Sequence, residues 1–295
     1  MKLVYNYLES LLIKKFIKKM NSIIKTLSVR NIFIFFYKYK IFRRLIPSII
    51  RKLPFKNKVF VNINEFYIFL NLKSSIDREI YLKGFYDKEK FNFFENTVDL
   101  SKFDLFLDIG SYIGYYSLYL ASKYKNLKVL TFEPIIESFS QIKSSKEFNK
   151  FNNMEIFNYA LSNIKGEKKF WCTNLNKKSG FALYNDEDYK LEVEFNNYDH
   201  DKISFRNIRT EIFDKEFKIE NKLIFIKIDV ERHEYETLLG AVFFLSKSNN
   251  RIFLQIEIVD HLKDKVLNLL KEYNFHVIGE ISKGGHDYYL SNYDI

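Results

Sequence analysis

The stretch Asp108-Ile109-Gly110-Ser111-Tyr112-Ile113-Gly114 closes a short apolar run, Leu105–Ile109, and leads into a helix predicted over Ile113–Tyr124. Two glycines four residues apart let a backbone turn tightly and come close to a ligand. A dinucleotide-binding loop would carry glycine at position 108 as well. The aspartate found there adds like charge where backbone amides would meet a pyrophosphate, so the loop suits a ligand with a positive centre.

Working outward, strands and helices alternate. A strand at Lys128–Phe132 ends in Glu133-Pro134, and a helix at Ile136–Asn149 follows. Met154–Leu161 reads as the next strand, Leu223–Val230 as another, Glu234–Leu245 as a helix and Ile252–Ile258 as a strand. His261–Tyr273 reads as a helix, and Phe275–Ile281 and Tyr288–Leu290 as closing strands. Upstream, Val59–Val61 and Tyr67–Leu70 look like a strand pair, and residues 77–98 look helical. Such alternation predicts an α/β fold with a doubly wound, mostly parallel sheet and a C-terminal antiparallel strand. Ligands in such sheets lie outside the carboxyl ends of the strands. Glu133 ends the second strand of the series, where an acid can accept bonds from ribose hydroxyls. S-adenosylmethionine combines a ribose with an ammonium and a sulfonium and has no phosphate, and it is the expected cofactor.

Residues 162–222 interrupt the alternation. Lys168–Cys172 and Tyr189–Phe195 alternate like short strands, and an acidic stretch runs from Asp186 through Glu194 to Asp201. This insertion is expected on the substrate side.

The chain has 295 residues and a net charge of +10 from 47 basic and 37 acidic residues. Residues 1–58 hold fifteen basic residues and one acid, Glu9, leaving 32 basic against 36 acidic residues in 59–295. The division expected is a basic amphipathic helical extension, 1–58, and a domain, 59–295. Ile13, Phe16, Ile17, Met20, Ile23, Ile24 and Leu27 recur at helical spacing with Lys14, Lys15, Lys18, Lys19 and Lys25 between them. Such a segment fits peripheral contact with an anionic membrane. The expected location is therefore the cytoplasm, at the inner face of the membrane. The longest apolar run, Ile32–Tyr37, is far short of the roughly 20 residues of a membrane span. One cysteine excludes a disulfide scaffold. The five histidines lack H-x-x-x-H spacing, so no metal site is expected. An acidic domain argues against nucleic acid as partner. A small molecule or glycan is the expected substrate, and the sequence is silent on oligomeric state.

Phe106–Tyr115 (FLDIGSYIGY), Val129–Pro134 (VLTFEP), Ala160–Gly166 (ALSNIKG) and Ile226–Ala241 (IKIDVERHEYETLLGA) resemble the successive motifs of FkbM-type methyltransferases. The segment Arg78–Phe94 resembles the one that precedes them, and the resemblance runs from about Val59 to Asn292. It implies a Rossmann-like class I methyltransferase fold, S-adenosylmethionine as donor, and methylation of a hydroxyl, often on a sugar. Carried over, Asp108, Gly110 and Gly114 would form the cofactor loop with Ser111, Tyr112 and Tyr115. Glu133, next to Pro134, would hold the ribose, and Ala160 and Leu161 would lie near the adenine. Asp229 and Glu231 would face the reacting methyl, with His233 beside them. Two positions depart from the family: Ser111, where it usually has Asn, and Arg232, where it usually has Gly.

A sugar hydroxyl is a poor nucleophile, so a general base is expected, worth about 10²–10⁴-fold. Asp229 and Glu231 are favoured; His233, Glu257 and His286 also stand at strand ends or turns. The alternative is a catalytically inactive binding protein of the same fold, its pocket filled by Arg232 and its basic N-terminus recruiting a membrane or partner.

Overall fold

A computed structural model describes residues 29–52, 57–63, 65–173, 203–247, 249–282 and 286–295. The predicted helix over 1–28, the strand at Tyr189–Phe195 and the acidic stretch around it lie outside the described residues. The chain divides into two compact units, one of Met1–Val59 and Leu70–Tyr86, the other of Phe60–Phe69 and Asp87–Ile295.

In the first unit, helices α1 (Val29–Tyr37) and α2 (Leu45–Lys52) bury Ile32, Phe33, Ile46, Ile49 and Ile50. Pro47 falls in the first turn of α2, where its missing N–H has no partner to lose. Helix α3 (Ser75–Lys83) is capped by the Ser74 hydroxyl. The helix predicted over 77–98 is broken after α3: Gly84 takes φ +75 and ends it, and α4 (Lys88–Thr97) starts afresh. Strands β1 (Lys58–Ile63) and β2 (Phe66–Asn71) form the expected pair, of which Phe60–Phe69 belongs to the second unit.

The second unit is built on a seven-stranded sheet. Its strands are β3 (Leu105–Ile109), β4 (Lys128–Phe132), β5 (Met154–Phe157), β9 (Leu223–Ile228), β10 (Arg251–Glu257), β11 (His276–Ile281) and β12 (Asp287–Ser291). The spatial order is β11-β12-β10-β9-β3-β4-β5. β10, β9, β3, β4 and β5 run parallel, and β12 enters antiparallel between β10 and β11. This is the doubly wound, mostly parallel sheet expected, with the last strand reversed.

Two predicted elements are corrected. Met154–Leu161 is not one strand. It breaks at Asn158, whose side-chain amide donates to the carbonyls of Glu133 (2.9 Å) and Pro134 (3.0 Å). Beyond the break, β6 (Ala160–Leu161) joins a separate three-stranded sheet with β7 (Gly166–Thr173) and β8 (Ile203–Glu211). Glu234–Leu245 is two helices, Glu234–Leu239 and Val242–Ser246, parted at Gly240.

Side-chain alternation sorts the large sheet into rows. One face carries Leu105, Leu107, Ile109, Ile224, Ile226, Ile228, Leu254 and Ile256, packed into the main apolar core. The opposite face carries an aromatic row, Phe106–Phe225–Phe253, in direct register. Two residues further toward the carboxyl ends, the register aligns Thr131, Asp108, Lys227, Gln255 and Tyr289. All five are buried. One step past the last paired residues of the parallel strands stand Glu133, Gly110, Asp229 and Glu257, with Asp287 paired to Glu257. The face thus passes from aromatic to charged to acidic at the edge where ligands bind such sheets.

After β9 the chain turns through two left-handed residues, Glu231 (φ +53) and Arg232 (φ +76). A non-glycine residue there costs about 1 kcal/mol. We therefore expect Arg232→Gly to raise the unfolding free energy by about 1 kcal/mol in urea titrations; a loss of stability would show that the arginine side chain holds the turn. A Cβ added at Gly240 would stand 2.2 Å from the Ser162 carbonyl oxygen. Gly240→Ala should lower stability by about 1–3 kcal/mol, the usual cost of overpacking, in the same measurement.

Candidate functional site

Gly110 is the pivot of the edge. It takes φ +79, and a Cβ there would lie 1.9 Å from the Asp229 carbonyl oxygen, so only glycine lets the loop pass this close to the end of β9. Its amide and that of Ser111 both donate to the Phe132 carbonyl at 3.1 Å. Gly114, at φ +73, starts helix α5 (Tyr115–Lys123) and faces Ile142.

Asp108 is 1 % exposed. Its Oδ2 accepts from the Ser117 amide (3.2 Å) and hydroxyl (2.6 Å), and Thr131 donates to that hydroxyl at 2.7 Å. Its Oδ1 is buried and accepts no hydrogen bond among the described residues. Burial pushes the Asp108 carboxyl up, countered by the nearby Lys227 ammonium.

Glu133 is buried and anchored at both oxygens, Oε1 accepting from the Ile135 amide and Oε2 from the Tyr112 amide, each at 2.8 Å. Burial still pushes its pKa up to about 8, against the pull of those two amides. Tyr112 reaches Glu133 by adopting φ +52. Tyr115 is the first residue of α5, and its ring packs edge-on to Phe66 and Phe91. Ser111 is buried, its hydroxyl 3.4 Å from the Phe132 carbonyl.

On the far side of Gly110, Lys227 is 5 % exposed and donates to Asp229 Oδ2 at 3.0 Å, its ammonium 5.1 Å from the centre of the Tyr116 ring. Burial opposes its charge, but the carboxylates of Asp229 and Asp108 prevail and hold it protonated. Burial likewise works against the Asp229 carboxylate, and Lys227 nonetheless keeps its pKa below the usual range. A second buried ammonium, Lys90 of α4, meets Asp287 at 2.5 Å, Glu257 at 3.5 Å and Asp87 at 3.7 Å. Gln255 donates to Asp287 at 2.9 Å, and Tyr116 to Asp87 at 3.1 Å. The spacing of Lys227 and Gln255, polar residues inside otherwise apolar strands, was the visible sign of this network. Lys90 and Asp287 carried no such sign.

The remaining expected residues lie elsewhere. Glu231 is exposed in the left-handed turn, and Glu234 accepts from the Val230 and Arg232 amides, holding that turn from below. Burial pushes Glu234 up to about 8. His233 points inward, 2 % exposed, with Nε2 3.0 Å from the Ser162 hydroxyl; burial lowers its pKa to about 3. Ala160 packs with Phe170, Ile208 and Ile135, and Leu161 enters the main core. Among the described residues no group of three or more His, Cys, Asp or Glu is arranged to hold a metal.

The arrangement suits a cationic ligand with a ribose. A buried carboxylate oxygen without a partner, a glycine cradle and an anchored glutamate stand together at adjoining strand ends, and Asp108, Gly110, Gly114 and Glu133 are the residues that would hold it.

A methyltransferase FkbM of Methylobacillus flagellatus is 15 % identical, with 66 % of this chain aligned to 45 % of that one at a TM-score of 0.44. The chain thus spans under half the length of that protein. A putative transferase of Pyrococcus horikoshii is 13 % identical over 86 % of this chain and 84 % of that one, TM-score 0.44. TYW2 of M. jannaschii, solved with AdoMet, is 9 % identical over 81 % and 86 %, TM-score 0.41. No curated protein matches the chain. The sequence profile of the methyltransferase FkbM domain matches residues 108–277, from the aspartate of the loop to the start of β11, and with more than half its length so matched the chain belongs to the FkbM methyltransferase family.

Proposed function

We propose that this methyltransferase, with S-adenosylmethionine as donor, methylates a hydroxyl of a sugar in a glycan or glycolipid. The observation that carries the reading is the acidic edge row, Glu133, Asp229, Glu257 and Asp287, around a glycine hinge. Carboxyl oxygens accept hydrogen bonds in either protonation state, so such an edge favours a ligand rich in hydroxyl donors. It disfavours a phosphate backbone, as does the excess of acid over base in residues 59–295.

The donor, when bound, supplies an activated methyl and a good leaving group. The protein's part is alignment and proton handling. Asp108 would face the donor's ammonium with its free oxygen, and Glu133 its ribose. Asp229, held ionised by Lys227, and Glu231 at the turn after β9 would bind the acceptor's hydroxyls. His233, inward-facing, would set the turn through Ser162. The alternative of an inactive binding protein, its pocket filled by Arg232, predicts no methyl transfer to any acceptor, and activity restored by Arg232→Gly would argue for a lost function.

Calorimetry with S-adenosylmethionine tests the donor site: Asp108→Ala and Glu133→Ala should each weaken binding at least tenfold. Ribose hydroxyls bind the ionised carboxylate, whose pKa is raised to about 8 in the free protein. Affinity should therefore rise between pH 6 and 7.5, by up to about tenfold per unit, and stay flatter in Glu133→Gln. No binding by the wild type would sink the donor assignment.

We also propose that the basic extension brings the domain to an anionic membrane surface. No helix among the described residues is long and apolar enough to cross a membrane. Replacing Lys14, Lys15, Lys18, Lys19 and Lys25 together by Gln should lower sedimentation with phosphatidylserine-containing vesicles and leave donor binding intact. Unchanged sedimentation would refute the membrane role.

A further inference from the structure

Resting on the O-methyl transfer proposed above, we propose that Glu257, at the carboxyl end of β10, is the group that takes the proton from the acceptor hydroxyl. The geometry separates the edge carboxylates by their partners. Asp229 is tied to Lys227 at 3.0 Å, and a carboxylate stabilised by a buried ammonium is a weak base. Asp287 is tied to Lys90 at 2.5 Å and to Gln255 at 2.9 Å, and its side chain is only 2 % exposed. Glu133 is anchored by two amides on the donor side of Gly110. His233 is buried against Ser162. Glu257 alone in the edge row combines a partly open side chain, 32 % exposed, with a loose cation contact, Lys90 at 3.5 Å.

Its position is also right. Glu257 stands one residue beyond the pair Ile256–Ile228, beside Asp229, and so lies on the carboxyl-end edge where ligands of such sheets bind. The groups that bear on it come from the elements around it: Asp229 and Lys227 from β9, Glu231 from the turn after β9, Lys90 from α4, and Asp287 from β12. Burial comes first among their effects, the acids Asp229 and Asp287 add to it, and the two lysines only partly offset it, so its pKa is raised to about 7. A base whose pKa lies near the working pH is present ionised yet binds a proton well.

The step balances. As the acceptor oxygen bonds to the methyl carbon, the carbon–sulfur bond breaks and its electron pair stays on sulfur. The hydroxyl proton moves to a Glu257 oxygen. One sulfonium cation and one carboxylate anion become a neutral thioether and a neutral acid. The proton then leaves through the exposed side of Glu257. Lys90 is the positioning residue, since its ammonium bridges Glu257 to the fixed carboxylates of Asp87 and Asp287.

The test uses the full chain, wild type and Glu257→Gln, with two readouts. The first is carboxyl ¹³C NMR of glutamate-labelled protein across pH 4–9. The expected result is a resonance with a midpoint near 7 that disappears in Glu257→Gln; a vanished resonance with a midpoint below 5 overturns the proposal. The second is transfer of labelled methyl from S-adenosylmethionine to a glycolipid extract. Glu257→Gln should lose about 10²-fold or more with donor affinity by calorimetry unchanged. Transfer within threefold of wild type overturns the proposal whatever the titration shows. If the wild type binds donor but methylates nothing in the extract, the glycan reading fails and the base role of Glu257 falls with it; if the wild type methylates and Glu257→Gln keeps its rate, the base role alone fails.

Discussion

The buried ammonium of Lys227 is the constraint on which the rest of the edge depends. It lies in the middle strand of the sheet, between Asp108 and Asp229, under the Tyr116 ring. An unpaired charge in such a place would cost several kcal/mol, so the neighbouring strand β3 and the end of its own strand must bring acids to it. Once they do, the acids cannot leave without stranding the lysine. Lys90 repeats the device one strand further out, with Asp87, Glu257 and Asp287. Two cations inside the protein thus keep a crowd of carboxylates together at a surface where they would otherwise repel.

The backbone is shaped to the same end. Gly110 touches the Asp229 carbonyl, which fixes the distance between the donor loop and the turn after β9. That turn is held in a left-handed conformation by amide bonds to Glu234. Tyr112 adopts a positive φ to place its amide on Glu133. Strain of this kind persists only where the surroundings over-determine it. Here the surroundings are the row of charged side chains beneath.

Much of the fold was legible. Leu105–Ile109, Lys128–Phe132 and Ile136–Asn149 occupy the residues expected of them, because each is an apolar or amphipathic run cut off by Gly, Pro or a polar cluster. The strand-end positions of Asp108, Glu133 and Asp229 followed from the same runs. The failures have tertiary causes. Asn158 looks like a polar residue in an alternating strand, and only its bonds to Glu133 and Pro134 reveal a break. Gly240 interrupts a helix because it lies against Ser162, 78 positions earlier. Lys90 reads as one more solvated lysine in a charged helix start, and its burial comes from β12, nearly two hundred residues away. His233 has the composition of a catalytic residue and the environment of a core one.

The rows of the sheet have a consequence for how the chain finds its pairing. Side chains alternate every residue, so sliding β9 by one position against β3 would turn Lys227 into the layer of Leu107, Ile226 and Leu254 and Ile226 into the layer of acids. A strand reading Leu-Ile-Phe-Ile-Lys-Ile would otherwise tolerate such a slip, since nearly every residue is apolar on both faces. The single charge makes each wrong alignment cost a buried, unmatched ammonium. Lys227 therefore acts as a registration key for the central strand, and the geometry of the ligand edge is chosen when the sheet assembles.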